Sequence, residues 1–178
     1  MQVSMKQDPS VFHQISSQPA ETRARTNDAD RNAMVSEYLD LMSFIERLHR
    51  LLLDVVKDEF ERLRIIDVTS VQALLIYNIG ENELTPSELR SRGYYQGSNV
   101  SYNLKKMTAA GYIHQERCAF DRRSTRLKLS EKGLQIRKIV CTLWDRHIES
   151  IHKNKIIELS EFVAMGQSLK SLERFWGS

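Results

Sequence analysis

Proline and glycine are scarce in this chain, with 3 and 7 among 178 residues, which argues against a turn-rich β architecture and for a mostly helical soluble protein. Cysteine is scarcer still. Cys118 and Cys141 stand far apart and form no CxxC pair, which excludes a disulfide framework and suits a reduced, cytoplasmic compartment. No stretch reaches the roughly 18 consecutive apolar residues of a membrane-spanning helix, and Gln, Asp and Ser interrupt every apolar pair near the start, so no secretory leader is expected. His147 and His152 are five apart, which does not place them on one helical face, and neither HExxH nor a cysteine cluster accompanies them, so no metal is expected. No nucleophile–base pair, phosphate loop or carboxylate pair of recognisable spacing is present. An enzyme is therefore disfavoured, and no cofactor is expected.

What the chain does have is uneven charge. Nine Lys and Arg residues between Pro86 and Lys128 face only Glu88, Glu116 and Asp121, a net +6, whereas residues 1–85 carry −5 and residues 129–178 carry +2. Such asymmetry marks one surface for phosphates. In the same segment Thr85-Pro86-Ser87-Glu88 has the form of a capping box, opening a short helix that Gly93 ends. Ser98 can cap the next helix, in which Val100, Leu104 and Met107 face inward and Gly111 terminates the run. Tyr112–Cys118 and Thr125–Leu129 then alternate with period two about the charged turn 119–124, as a β-hairpin does. Helix, turn, helix and hairpin make a winged helix-turn-helix. The fold class is mainly α with a small β-hairpin wing, plus N- and C-terminal dimerisation helices.

Around this centre the chain divides into four parts. Residues 1–30 are polar and read as a mobile arm. Residues 31–66 hold a long helix, from about Ala33 to Arg64, in which Met34, Tyr38, Leu41, Ile45, Leu48, Leu52 and Val55 recur every three or four positions beside a second apolar stripe. So wide a face exceeds what one neighbour covers, and a second copy of the chain is its natural cover. Residues 67–130 form the winged lobe, with a further capping box at Thr69–Gln72. Residues 131–178 hold a long connecting helix capped by Ser130 and a last helix, about Ser160 to Trp176, with Phe162, Met165, Leu169, Leu172 and Phe175 on one side.

Asn99, Ser101, Tyr102 and Lys105 are expected on the outward face of the second winged-lobe helix, with Gln96 and Ser98 at its start. Short donors and acceptors there suit base edges, and Lys105 further along suits the phosphate backbone. Arg122 and Arg123, followed by Ser124, stand at the hairpin tip, where arginine can enter a narrow minor groove. Cys118 beside Arg117 reads as a plain strand cysteine, and Trp144 and Trp176 as fillers of the core or of a dimer junction. A helical protein–protein adaptor that uses the winged fold without DNA is the competing reading.

Asp121-Arg122-Arg123-Ser124-Thr125-Arg126-Leu127-Lys128-Leu129-Ser130, followed by Glu131-Lys132-Gly133, resembles the wing of the MarR family of transcription regulators: D-x-R, then Leu-x-Leu-Ser and a glycine. The likeness extends over about residues 33–176. The Tyr94-Tyr95-Gln96-Gly97 turn and the long N-terminal arm depart from the pattern. The resemblance implies a homodimer built by the first and last helices, and a pseudo-palindromic duplex DNA operator read by the helix after Gly97. It further implies Arg123 as the groove-reaching residue, Asp121 as the brace of the tip, and a small-molecule effector that modulates DNA affinity. By the same resemblance the effector lies between the dimer helices and the winged lobe, where Phe44, Leu48, Leu51 and Tyr77 would form apolar walls and Ser43, His49 and Arg50 polar contacts.

From this reading Arg123→Ala should weaken duplex binding without unfolding the protein. Asn99→Ala or Ser101→Ala should instead change preference at a few base positions, each good base contact being worth ~1–3 kcal/mol. Affinities over a panel of single-base operator variants, beside a melting curve, test both. Parent-like binding by Arg123→Ala, or a uniform loss in the helix variants, would overturn the docking.

Overall fold

In the computed structural model the described residues are 20–91, 97–117 and 125–177, with backbone alone at 20–27, 90, 91, 97, 98 and 117. Six helices and one hairpin follow in order: α1 (Ala20–Arg62), α2 (Ser70–Ile79), α3 (Pro86–Ser91), α4 (Gly97–Ala109), β1 (Ile113–Arg117), β2 (Thr125–Leu129), α5 (Glu131–Lys153) and α6 (Leu159–Trp176). The winged-lobe elements expected from the sequence are all present within a residue or two.

α1 begins earlier than its apolar stripes do. Neither proline nor glycine occurs between Ala20 and Arg62, so no breaker interrupts the helix there, while residues 20–32 lack the apolar period by which a helix is recognised. The expected arm 1–30 is thus helical over residues 20–30, and residues 1–19 lie outside the described residues. Up to Arg50 the chain forms a unit of its own. Among residues 28–50 none is buried, and Met34 is 75% exposed. Local contacts support the helix there: Arg50 donates to Glu46 at 2.7 Å, four residues back, and the Arg47 guanidinium lies 5.4 Å over the Phe44 ring. Leu39, Leu41, Phe44 and Leu48 remain exposed along it.

The second unit starts at Leu51 and holds the core. Val56 and Phe60 from the end of α1 are buried, together with Leu75, Ile76 and Ile79 of α2, Leu104 and Met107 of α4, and Val140 and Leu143 of α5. Burying side chains of this size stabilises by roughly 1.5–3 kcal/mol each. Both expected capping boxes form: Thr69 with Gln72, and Thr85 with Glu88, whose carboxylate accepts from the Thr85 amide at 2.6 Å. β1 and β2 pair antiparallel, from Ile113 opposite Leu129 to Arg117 opposite Thr125. Leu84 adds a one-residue bridge on the other edge of β2, too short to show as a period, its amide and carbonyl bonding to Leu127 at 3.1 and 2.7 Å.

Trp144 is half-buried on α5, with its ring edge-on to Tyr77 at 6.4 Å and to His147 at 5.8 Å. Cys141 is half-buried nearby, while Trp176 is exposed. α6 contributes no buried residue, and Phe162, Met165 and Leu169 are exposed along it.

One carboxylate sits in this unit at only 8% exposure. Glu59 accepts from Arg62 at 2.8 Å and from Arg146 at 2.6 Å, so the end of α1 is tied to α5 by a charge flanked by two guanidiniums. The Arg62 hydrogen bonds chiefly, with Arg146 behind them, outweigh desolvation and hold Glu59 down to about 2 from 4.5. A carboxyl with a depressed folded-state value gives stability that is whole above about 4.5 and lost as pH falls toward about 2. Acid titration of the melting temperature should therefore show a decline in that window that is smaller in Glu59→Gln. At neutral pH the substitution should cost about 1–2 kcal/mol, since both guanidiniums are half in water. An unchanged acid limb would remove Glu59 from the account.

Candidate nucleic-acid interface

α4 has two chemically distinct sides. Val100, Leu104 and Met107 are buried, while Asn99, Ser101, Tyr102, Lys105 and Lys106 are exposed, and the helix contains no carboxylate. Lys106 lies 4.6 Å over the ring of Tyr102, itself 59% exposed, which stiffens an aromatic side chain standing in water. One edge of α4 is pinned to α2: Asn103 accepts from Gln72 at 3.5 Å and donates to the Asn99 carbonyl at 2.9 Å.

The end of α4 is fixed by a set of hydrogen bonds to the hairpin and α5. Gly111 takes a φ of 78°, which lets the chain leave the helix while the Tyr112 amide reaches back to the Met107 carbonyl at 2.9 Å. The Tyr112 carbonyl then accepts from the Ser130 amide at 3.0 Å, and the Ser130 hydroxyl donates to the Gly111 carbonyl at 2.6 Å. That hydroxyl also accepts from the Gly133 amide at 3.1 Å, capping α5 as expected. A β-carbon at position 133 would run into the Tyr112 carbonyl oxygen, so glycine is required by close approach. The Tyr112 hydroxyl donates to Asp67 at 2.6 Å, and Lys132 reaches Asp67 at 3.1 Å while lying 4.0 Å over the tyrosine ring. Tyr112 and then Lys132 hold the Asp67 carboxyl below its usual range; burial first, then Asp67, pushes the Tyr112 hydroxyl up.

The hairpin divides its residues by alternation. Leu127 and Leu129 are buried; His114, Glu116, Arg126 and Lys128 are exposed. Glu83 stands beside this outer face, 3.4 Å from Arg126 and 3.8 Å from Lys128. Glu81 pairs with Arg137 of α5 at 2.6 Å. Among the described cations of the basic segment, Arg126 and Lys128 therefore already face a carboxylate.

The structure brings Asn99, Ser101, Tyr102 and Lys105 together on α4. Ser98 falls inside the first turn of α4 and not before it, because the helix starts at Gly97; its side chain is outside the described ones. Gln96, Asp121, Arg122, Arg123, Ser124 and Cys118 lie outside the described residues. Of the expected effector-site residues, Ser43, Phe44, Leu48, His49 and Arg50 are exposed along the first unit's part of α1, Leu51 is exposed at the start of the second, and Tyr77 packs against Trp144.

Asp67, Lys132, Glu83 and Glu59 were not singled out from the sequence. Their partners stand elsewhere in the chain or are ordinary solvent-type charges, and no periodicity marks them. Nor were the clefts. One, of about 520 Å³, lies between α4 and the hairpin, with Pro86, Leu104, Lys105, Gln115 and Thr125 among its walls. Two more flank Glu59, of about 420 Å³ beside Leu143 and His147 and about 390 Å³ beside Gln135 and Ile139.

Comparison with known proteins agrees with this geometry. Residues 66–124 match the model described as MarR family. The exopolysaccharide II synthesis transcriptional activator ExpG of Rhizobium meliloti is 37% identical over 110 residues, which span 62% of this chain and 57% of that protein. Among solved structures, Streptococcus pneumoniae FabT in complex with DNA superposes with a TM-score of 0.63 at 23% identity, covering 79% of this chain and 97% of that one. A cysteine-to-serine mutant of Escherichia coli MarR complexed with operator DNA gives 0.61 at 17% identity, covering 76% and 95%. These likenesses bear out the expected fold class, a mostly helical chain with a winged hairpin.

Tyr112→Phe should lower stability by about 0.5–1.5 kcal/mol, because Asp67 at the other end of the bond is half in water. Asp67→Asn should cost a similar amount, and the double variant much less than their sum, because the two side chains act as one unit. Urea denaturation of the four proteins measures the coupling. Additive costs would show that the junction is not a network.

Proposed function

We propose that this chain is a member of the MarR family and a homodimeric regulator of transcription that binds a pseudo-palindromic duplex DNA operator with an affinity set by a small-molecule effector. The observation that carries the DNA part is the exposed side of α4: Asn99, Ser101, Tyr102, Lys105 and Lys106 project from a helix without a carboxylate, backed by a buried apolar row. Short polar side chains near the helix start suit base edges, and the lysines a turn later suit phosphates. On the sequence pattern alone we assign Gln96 and Ser98 to the same duplex contact, Arg122, Arg123 and Ser124 to the neighbouring minor groove, and Asp121 to bracing those arginines. FabT and MarR, which share the fold, were solved with DNA bound.

The dimer reading is supported by two uncovered apolar faces. Met34, Leu41 and Leu48 on α1 and Phe162, Met165 and Leu169 on α6 are all more than a third exposed in the single chain. At ~25 cal/mol per Å² of apolar surface, covering such faces with a second copy favours a lasting interface. The effector reading takes Ser43, Phe44, Leu48, His49, Arg50, Leu51 and Tyr77 as its seat. Tyr77 is partly committed to Trp144, so the α1 residues would bear most of the contact.

Sedimentation at micromolar concentration should give twice the monomer mass of 20.7 kDa. Duplexes recovered by selection from random-sequence DNA should carry dyad symmetry, with half-sites about one helical turn apart. Their affinity should fall with salt at a log–log slope near −0.9 per neutralised phosphate, for about 6–10 phosphates. A monomer would sink the dimer. Salt-insensitive binding to a protein partner, with no duplex selected, would favour an adaptor.

A further inference from the structure

The cleft between α4 and the hairpin is chemically unlike the rest of the basic surface. Lys105 and Thr108 of α4 lie on the flank of the helix between the buried row and the outward Tyr102. Gln115 of β1 and Thr125 of β2 close it from the hairpin, on the same strand face as the buried Leu127. Among the described residues no carboxylate lines this space. The Thr108 hydroxyl is used within the helix, donating to the Leu104 carbonyl at 2.8 Å. Lys105, Gln115 and Thr125 thus bring an ammonium, an amide and a hydroxyl to the walls of one cleft, beside the apolar Leu104 and Ala109. Glu83 braces cations on the opposite face of the same hairpin, so the two faces differ in what they attract.

We propose that this cleft is the seat of one backbone phosphodiester of the bound duplex, gripped by Lys105, Gln115 and Thr125, and that these three are positioning residues for α4. The inference rests on the DNA-binding reading. A helix in the major groove and a hairpin tip in the adjacent minor groove straddle the phosphate strand that separates the grooves. That strand has to cross the gap between the two elements, and this cleft is the gap. The ammonium and neutral donors match a phosphodiester's charge and oxygens, and the apolar wall receives the sugar carbons. Such a contact sets the register and tilt of α4 while carrying no sequence information.

The probe is a duplex selected from random-sequence DNA, carrying a single uncharged methylphosphonate linkage moved one position at a time along each strand. The parent protein should lose affinity at each phosphate it contacts, about three to five per half-site, one of which is the linkage seated in the cleft. Thr125→Val and Gln115→Met should bind the unmodified duplex about three- to tenfold more weakly and show a smaller further loss than the parent at that one linkage, with losses at the other linkages unchanged. Lys105→Met should flatten the salt slope by about 0.9 for each phosphate that is no longer neutralised. Base preference over a panel of single-base variants should be unchanged in all three, a result that misfolding of α4 would not give, and melting curves check the fold. A parent that binds the duplex while the variants bind equally well, or lose affinity equally at every linkage, would overturn the cleft alone. A parent without duplex affinity would overturn the DNA reading and the cleft with it.

Discussion

The winged lobe depends on the junction at Tyr112. Four elements meet within a few residues: α4 ends, β1 begins, β2 ends and α5 begins. Their backbones are stitched by the Tyr112–Met107 and Ser130–Tyr112 hydrogen bonds and by the shared Ser130 hydroxyl. The tyrosine side chain carries the connection to the loop after α1, where Asp67 receives its proton donor and Lys132 closes the triangle. A phenol 2% exposed with a carboxylate at its tip is stable only because every polar atom there is answered. The angle of α4 against the hairpin follows from this junction, and with it the width of the cleft between them.

Charge in this lobe is sorted by partner as well as by position. Glu59 holds α1 to α5 through Arg146, with Arg62 of α1 as its second partner, and Glu81 holds Arg137. Glu83 holds Arg126 and Lys128 at the base of the hairpin. Lys105, among the described residues, is paired with no carboxylate. A basic segment thus separates into cations that build the fold and cations offered to a ligand, a distinction that net charge conceals.

The elements were legible wherever local rules suffice. Thr69–Gln72 and Thr85–Glu88 read as caps because both partners lie within four residues, and β1 and β2 read as strands because alternation persists across five. α1 was read short because a helix of polar residues lacks a stripe to announce it. The outward set on α4 was legible for the same local reason: Val100, Leu104 and Met107 fix its inward side, and the rest follows by rotation. Tertiary pairs were not legible. Asp67 is 45 residues from Tyr112 and 65 from Lys132, and nothing in either neighbourhood marks the other. The single bridge at Leu84 and the cleft beside Thr125 arise only when the hairpin folds onto α4.

Gly133 shows what kind of constraint the junction imposes on variation. The obstacle to any side chain there is a backbone oxygen, and a backbone oxygen cannot be trimmed by substituting the residue that bears it. A clash between two side chains can be relieved by shrinking either one, so such positions drift in pairs. Position 133 has no such second-site remedy. Relief would require moving the carbonyl of Tyr112, which is already committed to the Ser130 amide, and so would open the turn from α4 into β1. In functional variants of this chain, no substitution elsewhere can free the identity of position 133.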